Sequence, residues 1–157
     1  MINVRADDRY KRLSYNSIAK IVRAIAGDAD FDQVVRRLAF NLLIGNGDAH
    51  LKNWSLVYPD GIAARLSQAY DLVATVTYIP EYKLALRLSR ENRFERIRMQ
   101  HFERLADDVG VPRNRVVDLV RDTISRAMSS WPDTQLDPDR IDRLRDHIRR
   151  LPLLSEA

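Results

Sequence analysis

The sequence contains no cysteine, only five glycines and no long apolar run. Without thiols the chain has neither disulfides nor thiolate metal sites, so a chain of 157 residues depends on its hydrophobic core for stability. No stretch reaches the roughly 18 apolar residues of a membrane helix, and the amino terminus lacks the apolar segment of a signal peptide. We therefore expect a soluble, cytoplasmic protein that forms a single domain over residues 1–157.

Charge is abundant and mixed. The 26 lysines and arginines exceed the 22 aspartates and glutamates by a net charge of +4, but the two signs alternate along most predicted helices. Such alternation is typical of a solvated surface, so direct nucleic-acid binding is not expected. One stretch is denser in positive charge and could hold a polyanion or an acidic partner. It comprises Arg87, Arg90, Arg93, Arg96 and Arg98, interrupted by Glu91 and Glu95.

Hydrophobic periodicity predicts a mainly α fold with a small β-hairpin insert. Apolar residues recur at helical spacing in five segments, and the second of these ends where Gly45 and Gly47 interrupt the pattern. Strand, turn and strand are predicted for residues 54–58, 59–61 and 62–66, with a further extended segment at 83–88 and a long turn at 129–138. The predicted helices cover residues 17–25, 30–43, 102–109, 112–128 and 139–151, the last three forming a helical subdomain over residues 100–151.

Between the second helix and the hairpin, acid, amide and base residues are concentrated in one run. The run reads Asn46-Gly47-Asp48-Ala49-His50-Leu51-Lys52-Asn53-Trp54, and Tyr70-Asp71 follows the hairpin. Asp48 can accept a hydroxyl proton, Lys52 can place a positive charge near phosphate, and Asn53 with Asp71 can offer hard oxygen ligands to Mg²⁺. These are the groups that phosphoryl transfer requires.

This run resembles the catalytic loop of the HipA family of serine/threonine kinase toxins, with the pattern N-x-D-x-H-x-K-N and a later Y-D. The resemblance implies a kinase-like helical large lobe with a catalytic loop at 46–54, a hairpin at 54–66 and ATP and Mg²⁺ as cofactors. It further implies that Asp48 is the catalytic base, that Asn53 and Asp71 bind Mg²⁺, and that the nucleotide phosphates lie against His50, Lys52, Asn53 and Tyr70. Gln68 departs from the family, which usually has proline there.

A complete kinase of this type also needs a small lobe with a glycine-rich loop and a lysine on a strand. Only Gly27 and Gly45 precede Gly47, and the only earlier lysines, Lys11 and Lys20, do not lie in a strand pattern. The sequence is therefore expected to hold the large lobe alone, inactive or weakly active by itself, with a partner chain as one possible source of the small lobe. The family also implies a DNA-binding antitoxin partner and a protein substrate of the aminoacyl-tRNA synthetase type.

Two other functions compete with the kinase interpretation. The letters Gly47-Asp48-Ala49-His50 also begin a metallophosphoesterase motif, but that motif follows a strand and needs further histidines, whereas a helix is predicted here. Residues 105–116 have the spacing of a helix-turn-helix, so the chain could be a DNA-binding or other non-catalytic helical interaction module that keeps a relic kinase loop.

Each residue also has a purely structural interpretation. Asp48 could shape a turn, Asn53 could cap one, and Asp71 could cap a helix that begins at Leu72. Aromatic and histidine residues outside the motif are assigned to packing or to the surface, and Tyr70 and Trp54 are expected to lie in the core. The residues assigned to packing or surface are His101, Trp131 and His147.

Overall fold

The structure is a computed structural model that describes residues 13–79, 82–130 and 137–156. Helices dominate it, and two small antiparallel sheets of two strands each complete the fold, which confirms the mainly α prediction. Among the described residues, none of the helices combines the length and hydrophobicity that a membrane span requires. The helices are α1 (Tyr15–Ala26), α2 (Asp28–Ile44), α3 (Met99–Val109), α4 (Arg113–Ser130), α5 (Pro138–Arg149) and the short α6 (Pro152–Ser155), and the strands are β1 (Leu56–Val57), β2 (Arg65–Leu66), β3 (Lys83–Leu88) and β4 (Glu91–Arg93).

Helix α2 is the centre of the fold, because it packs against α1, α4 and α5. Its apolar side chains are buried on more than one face, from Phe31 at its start to Leu42 and Leu43 at its end. A helix surrounded in this way is a rigid support for the loop that follows it. The largest fully buried side chains around it are Tyr15, Phe31, Phe94, Phe102, Leu38, Leu42, Leu43, Leu84, Leu88, Ile97, Leu105 and Leu144.

The hairpin of β1 and β2 is attached to the first turn of α2 by a buried carboxylate. Asp30 accepts a hydrogen bond from the backbone N–H of Leu66 at 3.0 Å and pairs with Arg65 at 2.8 Å. The paired strands are shorter than predicted, because only Leu56 with Leu66 and Val57 with Arg65 are in register. At the turn, Asp60 accepts hydrogen bonds from two backbone N–H groups, and these lower the pKa of its carboxyl group.

Several boundaries differ from the sequence prediction. The last predicted helix, 139–151, is α5, which ends at Arg149, and Pro152 starts a separate short helix, α6, beyond the predicted range. Residues 129 and 130 belong to α4 instead of the predicted long turn, and the part of that turn at 131–136, with Trp131, lies outside the described residues. No helix begins at Leu72, so the helix-capping interpretation of Asp71 is wrong. The domain extent of 1–157 stays a prediction.

Candidate active site

The loop at 46–54 begins where α2 ends in a left-handed glycine. Gly45 has φ of 68°, and its carbonyl accepts hydrogen bonds from the backbone N–H of Val76 at 3.2 Å and from Oγ1 of Thr75 at 3.0 Å. A Cβ at this position would lie only 2.4 Å from Cγ2 of Val76. The end of α2 is therefore in direct contact with the 3₁₀ turn Thr75–Thr77, which follows Asp71 in the chain.

Glycine is also required at position 47, because Thr75 and the backbone of Lys83 lie close to it. Its backbone N–H donates to Oγ1 of Thr75 at 2.7 Å, and a Cβ would lie 2.8 Å from the backbone oxygen of Lys83. A side chain would displace the backbone of the loop from these two neighbours. The two glycines that interrupt the helical pattern thus allow the loop to pack closely against the segment that carries Asp71.

Asn46 connects the two aspartates through its side-chain amide. Its Oδ1 accepts from the backbone N–H of Asp48 at 3.0 Å, and its Nδ2 donates to the backbone carbonyl of Asp71 at 3.1 Å and to Oδ1 of Asn41 at 3.0 Å. Asn46 is buried, so each of these hydrogen bonds would be costly to lose. One side chain therefore fixes the positions of both Asp48 and Asp71, a role that the sequence analysis did not assign to Asn46.

Asn53 and Asp71, which the hairpin separates in sequence, are in contact. Nδ2 of Asn53 donates to Oδ2 of Asp71, while Oδ1 of Asn53 is buried without a partner among the described residues. Asp71 itself has φ of 57°, a left-handed conformation that is unfavourable for a residue other than glycine. A carboxylate and an unpartnered amide oxygen together form a donor set that suits Mg²⁺.

The remaining predicted site residues surround this pair. The side chains of Asp48 and Lys52 are exposed, and the Lys52 ammonium has no partner among the residues that the structure describes. His50 is partly buried, and its Nδ1 is likewise unpartnered within the described ranges. Tyr70 is 42% exposed, so its assignment to the core is wrong. Its hydroxyl donates to the carbonyl of Lys52 at 2.6 Å and lies 2.6 Å from Oγ of Ser55, which couples the loop to the segment before Asp71.

A small cavity beside Asn53 and Asp71 is lined by further polar groups, among them Arg37. Arg37 donates to the carbonyl of Ser67, while its Nη1 is buried without a partner in the described part of the chain. Burial lowers the pKa of this guanidinium, an effect that the nearby Asp30 and Tyr70 oppose. Sequence analysis missed Arg37 because it lies on a helix, outside the motif. Only the packing of α2 beside Asn53 and Asp71 brings its side chain to this cavity.

The competing interpretations find less support in the geometry. The part of the chain that the structure describes holds no group of three or more acidic or histidine side chains that could bind a metal by themselves. His101 accepts from the backbone N–H of Arg98 at 3.0 Å, and both ring nitrogens of His147 have hydrogen-bond partners in the core. In the helix-turn-helix segment, Arg113 pairs with Asp107, and Arg115 pairs with Asp28 and Asp32, so both arginines already have acidic partners within the chain.

Comparison with known proteins identifies the family to which this fold and loop belong. Residues 1–131 match the family described as HipA-like C-terminal domain. The chain belongs to this family, which confirms the resemblance seen in the sequence.

Individual relatives are longer proteins. The chain is 37% identical over 132 residues to "Putative kinase Y4dM" of Sinorhizobium fredii, covering 83% of this chain and 32% of that protein. It is 31% identical over 118 residues to "Putative kinase Y4mE" of the same organism, covering 69% and 28%. A solved structure from Shewanella oneidensis, of the toxin-antitoxin proteins HipA and HipB with operator DNA, has the same fold at a TM-score of 0.63 and 23% identity, over 89% of this chain and 34% of that one. The chain thus spans about a third of the length of these relatives.

Proposed function

We propose that the chain is the catalytic large lobe of a HipA-type serine/threonine protein kinase, which transfers the γ-phosphoryl group of ATP to a protein serine. The observation that carries the proposal is the contact between Asn53 and Asp71, which leaves Oδ1 of Asn53 buried and unpartnered in the described structure. A buried acceptor without a donor is unfavourable unless a ligand completes it.

Mg²⁺ is the ligand that this donor set fits best. Asn53 and Asp71 would hold the ion, with water and phosphate oxygens as the remaining ligands, because the two side chains alone cannot fill its coordination sphere. When bound, the ion would offset the negative charge of the phosphates and of the group being transferred. The exposed ammonium of Lys52 would add a second positive charge on the same side, and His50 and Tyr70 would border the phosphates.

Asp48 has the place and the freedom expected of a catalytic base. Its backbone is fixed by Asn46, yet its carboxylate is exposed, so an incoming serine hydroxyl can reach it. The carboxylate would orient that hydroxyl and accept its proton as the oxygen attacks phosphorus. Positioning of the attacking oxygen supplies much of the rate enhancement in such reactions.

Donors on the far side of the phosphates must come from elsewhere, because this sequence has no glycine-rich loop. We propose that a small lobe, on a longer form of the chain or on a separate chain, supplies them. By analogy with the Shewanella complex, a HipB-like DNA-binding antitoxin is proposed as a partner, and the family resemblance suggests an aminoacyl-tRNA synthetase as substrate.

Metal binding can be tested on the isolated chain without any assay of activity. Mn²⁺, a paramagnetic substitute for Mg²⁺, should broaden the backbone NMR signals around Asn53 and Asp71, and Asp71→Asn should weaken this effect at least tenfold. Asp60→Asn is the matched control, since it removes the same charge from the exposed hairpin turn. Equal loss in both variants, or broadening elsewhere on the chain, would exclude the proposed metal site.

Catalysis requires the chain together with a family small lobe, fused ahead of it or supplied in trans. Transfer of labelled phosphate to serine should then appear, and Asp48→Asn should reduce its rate by about 100-fold or more while Mn²⁺ binding persists. Full activity of Asp48→Asn would remove the residue from the mechanism. Metal binding without any phosphoryl transfer in the complete pair would favour the alternative of a non-catalytic interaction module.

A further inference from the structure

The turn between β3 and β4 has a conformation that its residues do not favour. Leu88 and Glu91 are paired, so the turn consists of Ser89 and Arg90 alone, and both have left-handed backbones, with φ of 47° and 77°. Two-residue hairpin turns of this kind normally contain asparagine and glycine, because other residues are strained there. Strain of this kind is often retained where a side chain is needed for function.

Asn16, a buried residue of α1, holds this turn in place. Its Oδ1 accepts from the backbone N–H of Ser89 at 2.8 Å, and its Nδ2 donates to Oγ of Ser89 at 3.1 Å. The same serine hydroxyl donates to the carbonyl of His101 at 2.7 Å, so the turn is attached to both α1 and α3. The position of Arg90 is therefore fixed by tertiary contacts, in spite of the unfavourable backbone.

The turn forms one wall of an open cleft of about 530 Å³ at the amino-terminal end of α1. Three arginines line it: Arg87 on β3, Arg90 in the turn and Arg104 on α3. All three are exposed, and none has an ion pair or a side-chain hydrogen bond with any residue in the described ranges. Ser14, the N-cap of α1, also lines the cleft, so the partial positive charge of the helix terminus adds to that of the arginines.

The two acidic residues of the cleft differ in how much of this charge they offset. Asp107 receives two hydrogen bonds from the guanidinium of Arg113, at 2.7 and 2.6 Å, which lowers the pKa of its carboxyl group. Asp108 accepts from Nδ2 of Asn16 at 2.6 Å. Because the Asn16 amide is neutral, Asp108 keeps its negative charge, and the three arginines, which have no acidic partner within the described ranges, outnumber it.

We propose that this cleft, formed by Arg87, Arg90, Arg104 and the amino terminus of α1, binds the phosphate group of a small molecule. Guanidinium groups match phosphate oxygens in geometry and charge, and convergent donors in a concave site exceed what a single exposed arginine offers. The site is separate from the loop of Asp48 and does not depend on the proposed kinase activity. It would use Arg87 and Arg90 of the basic stretch noted in the sequence, whereas Arg98 of that stretch pairs with Glu156.

NMR titrations at constant ionic strength with inorganic phosphate and with O-phosphoserine test the proposal. Saturable shifts of the signals of residues 14–16 and 89–90, with a Kd of about 1 mM or tighter, are expected for at least one of them. Tighter binding of O-phosphoserine would identify a phosphate ester as the ligand, and equal binding would identify free phosphate. Absence of saturable shifts with both compounds would refute the site.

Substitutions separate function from folding. Arg90→Gly removes a guanidinium and also relieves the left-handed backbone, so phosphate affinity should fall about tenfold while the melting temperature stays equal or rises. Arg104→Gln should weaken binding to a similar extent. Arg145→Gln is the charge-matched control on α5, and Asp71→Asn checks independence from the candidate active site; neither should change the affinity. A loss as large in Arg145→Gln would mean that only overall charge attracts the anion.

Discussion

Gly45→Ala tests the close contact between the end of α2 and the segment that carries Asp71. An alanine would have to keep the left-handed backbone, at a cost of about 1–2 kcal/mol. Its Cβ would also lie 2.4 and 2.7 Å from the two Cγ atoms of Val76, and overpacking of this kind costs roughly 1–3 kcal/mol more. We therefore expect a total loss of about 2–5 kcal/mol in the free energy of unfolding.

The chain contains a matched control for the backbone part of this cost. Gly61 has a similar φ of 72°, but nothing lies within 4 Å of a Cβ added there, so Gly61→Ala should lose only about 1–2 kcal/mol. Urea unfolding followed by circular dichroism measures both variants, and the difference between them reports the contacts of the added Cβ with Val76 and, more weakly, with His147. If the two variants lost the same stability, the reasoning that the loop is tightly packed on Val76 would be refuted.

Two further predictions concern the core beneath the site. Leu42→Ala should lower the free energy of unfolding by about 2–5 kcal/mol because Leu42 is fully buried. Asp48→Asn changes an exposed side chain and should leave the melting temperature nearly unchanged. A large loss of stability in Asp48→Asn would show that the aspartate is a structural turn residue. Burial lowers the pKa of His147 in the folded chain. As pH falls through about 6.5, the ordinary pKa of histidine, the unfolded chain therefore binds a proton at this residue more readily than the folded chain does, and the free energy of unfolding should decrease. His147→Gln should flatten the stability–pH profile between pH 6.5 and 5.5 by up to about 1 kcal/mol, as measured by urea unfolding at each pH, and an unchanged slope would contradict the assignment.

Much of the fold and the identity of the loop could be read from the sequence. The spacing of apolar residues in α1 and α2 is a local property, since it records which face of each helix is buried. The run from Asn46 to Asn53 is also local, and its combination of residue types was sufficient to indicate the family. The short extent of β1 and β2, strand β4 and helix α6 were less accessible, because strand pairing and helix ends depend on neighbours distant in sequence.

The exposure of Tyr70 could not be predicted from its aromatic character. Its ring would ordinarily favour the core, but its hydroxyl bonds the carbonyl of Lys52, which holds the side chain across the outside of the loop. Arg37 and Asn46 were overlooked for a related reason: their roles consist of contacts with Ser67 and Asp71, residues that no local pattern connects to them.

The sequence by itself determined the helices, the family and the chemical types in the loop, because periodicity and motif are properties of neighbouring residues. Only the tertiary structure decided that Asn53 touches Asp71, that Asn46 fixes both aspartates, and that Gly45 admits no side chain. The physical reason is that such contacts join segments separated by the hairpin, and their geometry depends on how the whole core packs around α2.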